Sequence, residues 1–118
     1  MAVDWRLRRY QRPSEAADLH SNAMGKRLIE RRLRQTSARL RTLRDELVVI
    51  DDQLAHLADD ADDLGIRALV AETPGAGNDY RQAQAHADAM AAHRQHVVTS
   101  IHELEQRQDQ LLDALSAP

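Results

Sequence analysis

The sequence predicts an all-α fold: a long antiparallel two-helix coiled-coil hairpin that dimerises into a four-helix bundle, with a basic N-terminal segment. Three observations predict it. The 118 residues include no Phe, one Trp and two Tyr and are rich in Ala, Leu, Arg, Gln and Asp, whereas strands favour aromatic and β-branched residues. Two stretches repeat apolar residues at alternating spacings of three and four over about five heptads each, the pattern of a coiled-coil seam. Between them lies Gly65 to Asn78, which reads as the bend of a hairpin because the two patterns run into it from opposite sides.

Residues 1–23 form the first division, a basic segment expected to be flexible or a short helix. Trp5-Arg6-Leu7-Arg8-Arg9-Tyr10-Gln11-Arg12-Pro13 interleaves arginines with two of the three aromatic residues. Pro13 is expected to stop a helix, Ser14 to cap a short turn, and Ser21 or Asn22 to cap the long helix that follows. Ser21-Asn22-Ala23-Met24 also has the composition of a cloning remnant ahead of a start methionine; the whole chain is read here as the protein.

Residues 24–118 form the hairpin, with arms at about 24–71 and 74–116 and the bend near 72–74. The first seam runs Ile29, Leu33, Thr36, Leu40, Leu43, Leu47, Ile50, Leu54, Leu57, Ala61 and Leu64, and extends to Ala68 and Ala71. At the bend, Thr73 reads as an N-cap and Pro74 as the first helical residue, where its missing N–H is harmless. Gly75 and Gly77 dilute the turn that follows. The second seam runs Tyr80, Ala83, Ala87, Met90, Arg94, Val97, Ile101, Leu104, Gln108, Leu111 and Leu115. Folding about the bend sets Leu64 against Tyr80, Leu54 against Met90, Leu47 against Val97, Leu43 against Ile101, Leu40 against Leu104 and Leu33 against Leu111. The polar interruptions also find partners: Thr36 faces Gln108 as a hydrogen-bonding layer, and Arg94 falls near Asp51 and Asp52.

Charge is divided along the chain. Residues 1–44 hold 12 Lys/Arg against 4 Asp/Glu, a net of +8, and residues 45–118 hold 4 against 15, a net of −11. Such asymmetry marks an interaction tail or patch, or a hairpin that pairs its own charges. In the predicted register the basic run from Lys26 to Arg44 faces Glu103, Glu105, Asp109 and Asp113, so interhelical pairing is expected. The absence of cysteine excludes disulfides, thiolate zinc sites and cysteine catalysis and suits a reducing cytoplasm. No apolar run approaches the roughly 18 residues of a membrane span, and no signal-peptide h-region is present. The chain is therefore expected to be cytoplasmic, with no membrane partner.

No nucleophile set, phosphate loop or metal signature emerges, so no enzymatic activity, cofactor or metal is assigned. Asp59, Asp60, Asp62 and Asp63 form an acidic cluster near the bend; it lacks the glycine and terminal glutamate of a calcium loop. Six histidines include His93 and His96 at i, i+3 on one helix face and His86 one heptad before His93, but no HExxH pattern accompanies them. Trp5, Arg6, Arg8, Arg9, Tyr10 and Arg12 combine stacking with charge and join the acidic cluster as candidate partner-binding residues. Val48, Val49 and Val98 lie off the seam at one level and are the candidate self-association patch.

The expected function is a non-enzymatic coiled-coil protein-interaction module, an adaptor, scaffold or regulator, forming a homodimer and engaging a protein partner. The alternative is a nucleic-acid-associated or RNA-polymerase-associated transcription factor that uses the basic N-terminal end or the acidic bend. At the level of shape alone, a hairpin with an acidic far end is similar to bacterial factors that insert a coiled coil into the RNA polymerase channel. A third reading is a metal-binding bundle using histidines and carboxylates.

Overall fold

The computed structural model describes the backbone of residues 2–117 and the side chains of residues 23–117. It is an all-α helical hairpin of two helices, α1 (Ala2–Ala71) and α2 (Pro74–Ser116), with no strand among the described residues. The chain packs as two compact units. One is Ala38–Gln106; the other takes α1 up to Ser37 together with α2 from Arg107 onward.

In the Ala38–Gln106 unit, the seam predicted from spacing is the core. Leu40, Leu43, Ile50, Val97 and Ile101 are buried in one cluster, with Leu47, Met90 and Leu104 packed against it. That cluster holds both members of the predicted pairs Leu40/Leu104, Leu43/Ile101 and Leu47/Val97. Nearer the bend the buried seam residues are small: Ala61 and Ala87 are both buried, and their short side chains permit close approach of the two backbones. Ala68 is half-buried, but Ala71, the last residue of α1, is exposed and takes no part in the seam.

The predicted ion pair across this seam is present. Arg94 Nε donates to Asp51 Oδ1, while no bond to Asp52 forms. Both side chains remain substantially exposed, so the pair contributes no more than about 1 kcal/mol.

In the other unit, Ile29, Leu33, Gln108, Leu111 and Leu115 are half-buried and Thr36 is buried. The polar layer differs in one detail from expectation. Gln108 Nε2 donates to Ser37 Oγ at 3.0 Å and not to Thr36. Thr36 occupies the seam itself, while Ser37 stands one position to its side, where the longer glutamine reaches it.

The N-terminal part of α1 corrects a second expectation. Pro13 does not stop the helix, and residues 2–23 continue α1 without a separate cap at Ser14, Ser21 or Asn22. A proline inside a helix forfeits one hydrogen bond and costs about 3 kcal/mol. The residues beyond it, however, extend an existing helix and need no new nucleus, and Ala, Arg, Gln, Glu and Leu on either side are strong helix formers.

The bend occupies only Glu72 and Thr73. Glu72 has φ of 51° and its N–H donates to the Ala68 carbonyl at 3.1 Å, the single bond of a left-handed helix terminus that glycine usually supplies. Thr73 then starts α2: its Oγ1 accepts from the Ala76 N–H at 3.2 Å, and its carbonyl accepts from the Gly77 N–H at 3.1 Å. Pro74 holds its predecessor extended, as an N-cap requires.

Two modest effects follow from this geometry. Glu72→Gly removes the steric cost of a left-handed non-glycine residue, about 1–2 kcal/mol offset by glycine's greater unfolded-state entropy. A net gain of about 0.5–1 kcal/mol is expected in urea denaturation, and a lower midpoint would show that the φ is not strained. Thr73→Ala deletes the cap bond and is expected to cost about 1 kcal/mol, read as a lower melting temperature in circular dichroism.

Candidate interaction surfaces

With the seam at heptad positions a and d, positions b, c and f lie on the side of α1 facing away from α2. Between Asp45 and Val70 these positions read Asp45, Val48, Val49, Asp52, Ala55, His56, then Asp59, Asp62, Asp63, Ile66, Leu69 and Val70, and every one is exposed. Aliphatic side chains stand at both ends of this stripe. Val48 is 71%, Leu69 79% and Val70 82% exposed, with Val49 and Ile66 also open to solvent. The middle is acidic.

The Ile66 end adjoins an open depression lined by Asp62, Gly65, Ile66, Ala68, Leu69 and Tyr80. Its shape depends on Gly65, which in sequence looks like a weak point of the helix. A Cβ on Gly65 would stand 3.0 Å from Tyr80 Cε1, so the glycine lets the tyrosine ring lie against α1. Tyr80, the expected partner of Leu64, is half-buried at the bend, as is Leu64.

A second depression is lined by Thr42, Asp45, Glu46, Val49, Ile50 and His93. It lies along one flank of the seam. Arg44 with Glu105, and Asp51 with Arg94, mark the opposite flank, and Val98 belongs there by its heptad position, half-buried. Of the three valines, Val48 and Val49 are exposed on α1, and Val98 is half-buried on α2.

Of the acidic cluster, Asp59, Asp62 and Asp63 belong to the outer stripe, whereas Asp60 lies toward the flank; all four are exposed. The described histidines, His56, His86, His93, His96 and His102, are exposed too. Among the described residues no group of three or more His, Asp or Glu side chains is placed to hold a metal ion. Nor, among them, is any helix long and apolar enough to cross a membrane.

In the unit containing the start of the hairpin, the same outer positions of α1 carry Met24, Arg27, Leu28, Arg31, Arg34 and Gln35, all exposed. The first four share a depression with Gly25. The expected pairing of the basic run with α2 is largely missing. Among the described residues only Arg44 meets an acid of α2 in that region, Glu105 at 4.0 Å, and Lys26, Arg27, Arg31, Arg32, Arg34, Arg39 and Arg41 form no ion pair. The physical reason is orientation: Arg27, Arg31, Arg34 and Arg41 stand on the outer face, away from the returning helix. The aromatic and basic candidates Trp5, Arg6, Arg8, Arg9, Tyr10 and Arg12 lie outside the residues whose side chains are described.

Comparison of the chain with protein-family models, with curated proteins and with solved structures gives no match.

Proposed function

We propose that this chain is a non-enzymatic protein-interaction module, an adaptor or regulatory coiled-coil hairpin that works in the cytoplasm and presents the outer face of α1 to its partners. One observation carries the reading: Val48, Val49, Ile66, Leu69 and Val70 are exposed on a single face of a helix whose own seam is already filled. Isolated exposed aliphatic residues need no explanation, but aliphatic residues gathered on one face and interspersed with acids mark a contact surface. The cysteine-free composition suits a reducing compartment.

The test is affinity purification of tagged full-length chain from its native cells, beside an Ile66→Asp/Leu69→Asp variant. Those substitutions touch no core residue, so folding is retained. A protein recovered with the wild type and lost with the variant supports the reading. Recovery of no protein, neither a partner nor untagged copies of this chain, sinks it.

A second reading is favoured by the outward arginines of residues 26–44 that form no ion pair among the described residues, which can follow a phosphate backbone. On this reading the chain is nucleic-acid-associated. Binding to mixed DNA and RNA that falls steeply with salt would select it, and absence of binding at physiological salt would remove it.

A further inference from the structure

We propose that the acidic outer stripe of α1 in one copy receives the basic outer stripe of α1 from a second copy, in antiparallel register. This rests on the protein-interaction reading above and names the partner. The receiving surface is described by Asp59, Asp62, Asp63, Ile66, Leu69 and Val70, all exposed, with Asp62, Ile66 and Leu69 on the rim of one depression. The entering surface is Met24, Arg27, Leu28, Arg31 and Arg34, of which the first four line one depression. Each stripe holds charge of one sign on its outer positions: between Asp45 and Val70 there is no Lys or Arg at b, c or f, and between Met24 and Arg41 no Asp or Glu.

Charge selects the occupant. Two acidic stripes brought face to face would repel, as would two basic ones, so neither stripe pairs with its own twin. The cross-pairing matches both charge and apolar content. Antiparallel knobs-into-holes packing of outer positions sets Met24 against Leu69 and Val70, Leu28 against Ile66, Arg31 against Asp62 and Asp63, and Arg34 against Asp59. Arg27 falls on Ile66 in this register; the parallel alignment that sets Arg27 on Asp62 instead places Met24 on Asp59, Leu28 on Asp63, Arg31 on Ile66 and Arg34 on Leu69, four mismatches of charged with aliphatic side chains. The arginines are available because α2 does not engage them: among the described residues, none of Arg27, Arg31 and Arg34 is in an ion pair.

Sedimentation equilibrium of the full chain over a wide concentration range, at low and at physiological salt, tests this with two complementary variants. Arg31→Asp/Arg34→Asp makes both stripes acidic, and Asp59→Arg/Asp63→Arg makes both basic. Circular dichroism first establishes that each variant keeps its helix content. The wild type is expected to associate, more strongly at low salt, and each variant alone to associate at least about tenfold more weakly. Mixing the two variants restores opposite charges across the contact, and association is expected to return. A wild type that stays monomeric throughout, variants that associate as the wild type does, or a mixture no stronger than its components would each overturn the proposal. If association is absent while a cellular protein is still recovered through Ile66 and Leu69, only the identity of the partner is wrong and the interaction-module reading stands.

Discussion

Leu43→Asp is expected to abolish cooperative folding of the Ala38–Gln106 unit. Leu43 is 4% exposed and belongs to the cluster that contains Leu40, Ile50, Val97 and Ile101. The substitution forfeits the burial of a leucine, about 1.5–3 kcal/mol. It also leaves a carboxyl group without a hydrogen-bonding partner among aliphatic side chains, a further penalty of several kcal/mol whether the group ionises or stays neutral. Together these match the lower half of the 5–15 kcal/mol that about bounds the stability of a natural domain. Leu47→Asp acts on a half-buried member of the same seam and is expected to cost less, because its carboxylate can reach water. Val48→Asp, on the exposed outer face, is the control and should change stability by no more than about 0.5 kcal/mol. Thermal melting followed by circular dichroism separates the three. Equal melting of Leu43→Asp and the wild type would mean that the heptad seam is not the core.

The seam was legible because a buried stripe on a helix repeats with the period of the helix, and two such stripes that agree in register constrain each other. The bend was legible because Thr-Pro is a local signal with a local cause, the cap bond and the missing N–H. What spacing could not reveal was the backbone of Glu72. Its left-handed φ is imposed by the need to reverse direction within two residues, and nothing in the side chain favours it. Gly65 was misjudged for a related reason: its propensity cost is local, but its benefit, room for the Tyr80 ring, comes from a residue fifteen positions away.

The candidate surfaces were read less well, and the cause is geometric. Pairing the basic run with the acids of α2 by register ignored the direction in which each heptad position points, since Arg27, Arg31 and Arg34 face away from those acids. The signal that identifies the outer face was present all along: Asp59, Asp62, Asp63, Ile66, Leu69 and Val70 repeat at helical spacing just as the seam does. Asp60, within the same acidic run, falls outside that repeat and off the stripe.

The second large effect is expected from adding volume to the core. Ala61 is 1% exposed and Ala87 5%, so the hairpin near the bend is packed on methyl groups. Ala61→Leu brings a better hydrophobe of similar helix propensity, which would favour stability if the site had space. A residue with so little accessible surface offers no path for the extra carbons except against the facing helix. Forcing them in requires strained rotamers or separation of the backbones, at about 1–3 kcal/mol. Separation has a further consequence four residues on, where Tyr80 rests against the bare backbone of Gly65: that contact opens as the helices part. The expected result is a lower urea midpoint and a melting temperature reduced by several degrees, on the order of 4–8 °C for each kcal/mol in a domain of this size. Ala55→Leu adds the same side chain at an exposed outer position and should leave the midpoint nearly unchanged. An Ala61→Leu protein more stable than the wild type would show that the alanine layer is loosely packed and that close backbone approach does not organise the bend.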